Sequence, residues 1–144
     1  MAKKIIIIDD DFVQRDLYRE IFHTAGFEVT TATDGLDGWE KIQKNTPDII
    51  GTGIQMPHMS GFELVEKLRA NKSTKTTPVI IFSHLGRPED RAKAKSYPFV
   101  EFVVKGQDRP VDILHKAQDM LLTRNPQTPA LNPDEDDRQG FTIL

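Results

Sequence analysis

Residues 4–11 read Lys-Ile-Ile-Ile-Ile-Asp-Asp-Asp. Four consecutive isoleucines with no polar alternation describe a strand buried on both faces, the pattern of a parallel sheet. The run ends in three carboxylates, so the edge of the sheet beyond it carries charge. Four more β-prone runs follow, and the five strands are predicted as Lys4–Asp9, Glu28–Ala32, Ile49–Ile54, Val79–Ser83 and Val100–Val104. Helical patterns separate them. Val13, Leu17 and Ile21 recur every four residues, and Leu36, Trp39 and Ile42 every three. Leu64, Val65 and Leu68 form a third stripe, and Ile113, Leu114, Ala117 and Leu121 a fourth. Residues 88–95 give the weakest helical signal, opened by Pro88 at a first-turn position. Asp11, Asp34, Ser60 and Asp108 stand where helix N-caps belong. Strict alternation of five strands with five helices predicts an α/β domain with a doubly wound five-stranded parallel sheet.

At 144 residues the chain has room for one such domain and a short extension. A net charge of −3 argues against a nucleic-acid partner, and the lack of cysteine removes disulfides and thiolate chemistry. The longest apolar runs are four residues, far below the roughly 18 of a membrane span. A cytoplasmic location without membrane insertion is therefore expected. Composition changes near residue 123, where Pro126, Pro129, Pro133 and the acidic run Asp134 to Asp137 replace the periodic pattern. The domain is predicted over 1–122 and a flexible acidic tail over 123–144. Within the tail, Phe141-Thr142-Ile143-Leu144 reads either as a frayed end or as a docking strand.

In open parallel α/β sheets, ligands bind beyond the carboxyl ends of the strands. Those ends carry Asp9-Asp10-Asp11, Gly53, Ser83-His84 and Lys105-Gly106. Adjacent carboxylates, a hydroxyl and a lysine on one edge are the parts of a magnesium-assisted phosphoryl-transfer site. Further segments lie between these ends: Pro47-Asp48-Ile49-Ile50, Met56-Pro57 with Met59 and Gly61, Pro78 through Ser83, and Phe102-Val103-Val104-Lys105. With the acidic cluster, residues 1–122 resemble the receiver domain of two-component response regulators. That resemblance implies a flavodoxin-like (βα)5 fold with strand order 2-1-3-4-5 and a signalling role rather than an enzymatic one. It also implies that Asp9 and Asp10, with the backbone carbonyl of Gln55, are metal positions for Mg2+. Ser83 and Phe102 match the switch residues, and Lys105 the phosphoryl-contacting lysine. The face carried over for partners, a histidine kinase or a downstream target, is the fourth helix, fifth strand and fifth helix, including Arg91, Lys95, Phe102 and Lys116. Homodimerisation is left open.

The chain departs from the receiver pattern at three positions, and the first of them bears directly on the chemistry. The phosphate-accepting aspartate of receivers lies four residues before the proline of the Met-Pro pair, and here that residue is Gly53. An aspartyl phosphate requires a carboxylate nucleophile, so family-type phosphorylation at this position is chemically closed. His84 stands where receivers usually have a small residue, and Gly106 where they usually have proline. Two carboxylates about 4 Å apart repel by roughly 4 kcal/mol at an effective dielectric near 20. Removing one weakens the demand for Mg2+ and also removes a ligand for it. Lys105 is then expected to turn toward Asp9 or Asp10. The function expected is phosphorylation-independent binding by the domain itself. Two alternatives accompany it. One is phosphate uptake on Asp10 or a nearby histidine. The other is a metal or small-ligand sensor at Gly53, where Gly51 and Gly53 are expected to leave a void. His58 and His84 are expected above that void, within reach of Asp9 and Asp10 for a mixed nitrogen/oxygen site.

Overall fold

The computed structural model describes residues 2–123. In chain order the elements are β1 (Lys4–Ile8), α1 (Phe12–Thr24), β2 (Glu28–Ala32), α2 (Gly35–Lys44) and β3 (Ile49–Gly53). They continue with α3 (Gly61–Ala70), β4 (Val79–Ser83), α4 (Pro88–Lys95), β5 (Val100–Val104) and α5 (Pro110–Thr123). The sheet order is β2-β1-β3-β4-β5, with every pairing parallel. Two strands end one residue sooner than the sequence suggests, because Asp9 and Ile54 lie just past the last ladder positions. Thr123 is the last residue of α5. The rest of the proposed tail, including Phe141–Leu144, lies outside the described residues. No helix among the described residues is long and apolar enough to cross a membrane.

The core is two apolar layers on either side of the sheet. Ile6, Ile8, Ile50, Val79, Ile81, Phe102 and Val104 face α2, α3 and α4, where Ile42, Leu64, Val65, Leu68 and Ala94 meet them. Ile5, Ile7, Ile49, Ile80, Phe82 and Val103 face α1 and α5 against Tyr18, Phe22, Ile113, Ala117 and Met120. All four isoleucines of β1 are at most 2% exposed, and burying each contributes about 2 kcal/mol. This double-sided burial is what the unalternated runs foretold.

One helical stripe falls elsewhere than expected. Val13 is 68% exposed and Leu17 48%, while Tyr18 and Phe22 are the buried residues of α1. The helix is rotated by about one residue, so that Tyr18 and Phe22 face the sheet while Ile21 of the expected stripe packs partly buried beside them. A Cβ on Gly51 would lie 2.6 Å from Cε2 of Phe82, so the hollow above this glycine is filled by the Phe82 ring. Tyr18 then stacks on that ring with centroids 4.1 Å apart. The predicted void is therefore closed at Gly51. Leu36 is also exposed, whereas Ile42 is buried and Trp39 half-buried, so α2 packs through the later part of its stripe.

Three predicted caps form. Asp11 accepts from the N–H groups of Val13 and Gln14, and Asp34 from Asp37. Ser60 and Glu63 make a reciprocal capping box at α3. Asp108 does not cap α5: its carboxylate accepts the Val104 N–H at 2.8 Å and ties the end of β5 to the following turn.

Candidate functional site

The carboxyl ends of β1, β3, β4 and β5 surround a cleft of about 320 Å3. Asp9, the residue that follows β1, sits on its floor and is 3% exposed. Its Oδ1 accepts the Asp11 N–H at 2.9 Å, and its Oδ2 accepts from Lys105 Nζ at 2.8 Å. Both side chains of this pair are buried. An ion pair so placed depends on having its remaining polar sites satisfied. Arg15 Nη1 donates to the Asp9 carbonyl at 2.7 Å, one helical turn from the Asp11 cap. His84 Nε2 lies 3.3 Å from Lys105 Nζ. An ammonium has no lone pair, so the imidazole nitrogen is the acceptor. Of the two carboxylates considered for Lys105, Asp9 is the one engaged. Asp10 is exposed at the mouth of the cleft and makes no hydrogen bond or ion pair among the described residues.

Gly53 forms the floor beside Asp9. A Cβ built there would lie 3.7 Å from Met56 Sδ and 3.8 Å from Asp9 Cγ and Oδ1, which is ordinary van der Waals contact. Its φ is outside the left-handed region. Neither crowding nor backbone conformation requires glycine here, in contrast to Gly51. Thr52 is buried on the opposite face, donating its hydroxyl to the Gly53 carbonyl at 3.0 Å. Gln55 lines the cleft and is exposed.

Ser83 ends β4 with 3% exposure, and its Oγ accepts the Gly86 N–H at 2.9 Å. Gly86 has φ +62, which lets the turn fold back over the hydroxyl. Phe102 is 7% exposed, and the Arg91 guanidinium carbon lies 4.8 Å from its ring centroid. Arg91 and Lys95 are exposed on α4, while Lys116 Nζ reaches Glu101 Oε1 at 3.6 Å.

The two histidines are not brought together as expected. His84 lines the cleft, but His58 turns to Asp34, with Nδ1 and Oδ2 3.1 Å apart. That contact lies at the start of α2, so a site combining both imidazoles with Asp9 and Asp10 does not form. The backbone N–H of Asp37 holds the Asp34 carboxyl below its ordinary range, and His58 adds to the effect.

Sequence reasoning missed several residues of the cleft. Phe82, Leu85, Arg87 and Asp90 line it, and Arg15 braces it. Spacing from the Asp11 cap places Arg15 one turn into α1, but nothing in the pattern directs its guanidinium back to the Asp9 carbonyl. Tyr18 stands behind the cleft. Burial, and then the fields of Asp9 and Asp108, push its hydroxyl up to about 12.

Comparison with known proteins agrees with this architecture. The model of the response regulator receiver domain family matches residues 5–118. The chain is 33% identical over 118 residues to the Gliding motility regulatory protein of Myxococcus xanthus, covering 82% of this chain and 15% of that protein. It is 30% identical over 122 residues to an uncharacterized 14.6 kDa protein of Leptolyngbya boryana, covering 85% of this chain and 92% of that one. Among solved structures, chemotaxis response regulator CheY4 of Vibrio cholerae superposes with a TM-score of 0.76 at 30% identity, over 83% of this chain and 99% of that one. With a five-stranded sheet in the order 2-1-3-4-5 and an acidic, lysine-bearing cleft at its carboxyl edge, the chain belongs to the response regulator receiver domain family.

Proposed function

We propose that this receiver domain passes signals by protein–protein binding without phosphorylation at the end of β3. Gly53 carries the proposal. It occupies the position at which receivers present their acceptor aspartate, and a residue with no side chain offers no nucleophile. The Lys105 ammonium is engaged by Asp9 at 2.8 Å, as expected where the carboxylate of the acceptor is missing. The free energy that phosphorylation supplies to a switch is then absent, and partner binding has to shift any equilibrium between states. Ser83 and Phe102 are the switch positions in this reading. The first is tied to Gly86 and the second is covered by Arg91.

Mg2+ binding is weak in this reading. The Asp9 carboxylate accepts from Lys105 through one oxygen and from a backbone N–H through the other, which leaves Asp10 and the Gln55 carbonyl as the accessible oxygen donors. A small hard cation that demands near-octahedral oxygen ligands gains little from that set. The output face is α4–β5–α5, where Arg91, Lys95 and Lys116 present charge to a kinase or downstream protein.

The test is intact mass after incubation with magnesium and a small-molecule phosphodonor, for the parent and for Gly53→Asp. The parent is expected to gain nothing and the variant one phosphoryl group. Uptake by the parent overturns the proposal, and peptide mapping then decides between Asp10 and His84.

A further inference from the structure

Another cavity lies at the opposite end of the sheet from the cleft. It opens between the first residues of β1 and β2 and the last turn of α2, and holds about 240 Å3. Ile5, Ile6 and Pro47 give it apolar walls, which the methylene stems of the surrounding lysines extend. A cavity of about 150 Å3 accepts a benzene ring, so this one has room for a ring with a short polar arm.

Charge decides what kind of ligand fits. Lys4, Lys41 and Lys44 line the cavity against Glu28. Lys41 is committed: its Nζ donates to the Thr31 carbonyl at 2.8 Å and lies 3.4 Å from Asp37 Oδ2. Lys44 makes no hydrogen bond or ion pair among the described residues. Lys4 stands opposite Glu28 in the register of β1 with β2, yet the two form no ion pair. The Lys4 ammonium reaches only Asn45 Oδ1, at 3.5 Å. The Asn45 amide N–H groups and the Thr30 hydroxyl are also without a partner among the described residues. Asp48 accepts the backbone N–H of Lys4 at 2.7 Å and does not line the cavity. Two ammonium groups and an amide beside apolar walls select an anion with an apolar body. A cation would be repelled by three lysines set against one glutamate.

We infer that this cavity binds a small carboxylate whose apolar body is about the size of one aromatic ring. Lys4 and Lys44 receive the carboxylate, Asn45 donates beside them, and the ring covers Ile6 and Pro47. Such a site gives the domain a small-molecule input remote from the cleft. The inference goes beyond the binding reading given above and does not depend on it, since no residue lining this cavity lines the cleft.

The full chain, isotopically labelled, is titrated with benzoate and followed by its amide signals. Three controls accompany it: benzyl alcohol keeps the ring without the charge, acetate keeps the charge without the ring, and benzylammonium reverses the charge. Benzoate is expected to bind saturably and shift residues 4–6, 28–31 and 41–46, leaving 53–55 and 84–87 unmoved. Benzyl alcohol and acetate are expected to bind at least about tenfold more weakly, and benzylammonium not at all. Lys4→Gln with Lys44→Gln should weaken benzoate about tenfold. Glu28→Gln, at an exposed strand position, should tighten it about twofold and keeps the test open should the lysine variant lose its fold. No saturable binding of benzoate, equal binding of benzyl alcohol or benzylammonium, shifts centred on the cleft, or an affinity unmoved in the folded variants overturns the inference. Phosphate uptake by the parent overturns the binding reading alone and leaves the benzoate shifts in place.

Discussion

Lys105 and Asp9 form a buried ion pair whose members come from opposite ends of the domain sequence and meet only when β1 and β5 are both in place. Breaking such a pair leaves an uncompensated buried charge, so Lys105→Met is expected to lower stability by about 3 kcal/mol, read by chemical denaturation. Adding Asp9→Asn to that variant should restore part of the loss. The glycines of β3 give a second prediction. Gly51→Ala drives its methyl into a Phe82 ring already stacked on Tyr18, and is expected to cost about 1–3 kcal/mol. Gly53→Ala meets only ordinary contacts and should be stabilising by about 0.5 kcal/mol through the unfolded chain. A melt in which both variants behave alike would refute this distinction. The cleft carboxylates, Ser83 and Lys105 were legible from sequence because they close strands. The different fates of Gly51 and Gly53 were not, since they depend on which neighbouring ring points at each.

Among the elements, β1 and α3 were the easiest to read. Four isoleucines leave β1 no exposed face, and Ser60 with Glu63 announces the start of α3. Helix α1 was harder, because Val13 and Leu17 look like a core stripe until Tyr18 is seen to stack on Phe82. Helix α2 offers a pH test. Its N-cap, Asp34, has a folded-state pKa below the unfolded one, chiefly through the Asp37 N–H and then through His58. A depressed carboxyl pKa contributes stability that is present above the unfolded value and lost as pH falls through the folded one. Asp34→Ala is therefore expected to cost about 1 kcal/mol near neutral pH, as N-cap removal does. The gap from the parent should narrow in acid. A gap that stays constant with pH would show that the carboxylate charge contributes nothing.

For the whole molecule, stability and ligand binding are linked. A cation that binds only the folded state raises the melting temperature according to its concentration relative to its dissociation constant. Magnesium is expected to leave the parent's transition almost unmoved and to raise that of Gly53→Asp by several degrees, because the variant supplies a further oxygen ligand beside Asp10. A large shift in the parent would show that Asp10 and the Gln55 carbonyl suffice. The space at Gly53 has one more consequence, and it concerns inheritance. Every glycine codon becomes an aspartate or glutamate codon through a substitution at its second base. A lineage carrying this domain can therefore place a carboxylate on the cleft floor in one mutational step, with only ordinary contacts around the new Cβ. Two residues earlier, the same step at Gly51 would collide with Phe82 and be purged for its effect on folding. Of the two, only Gly53 is open to that change.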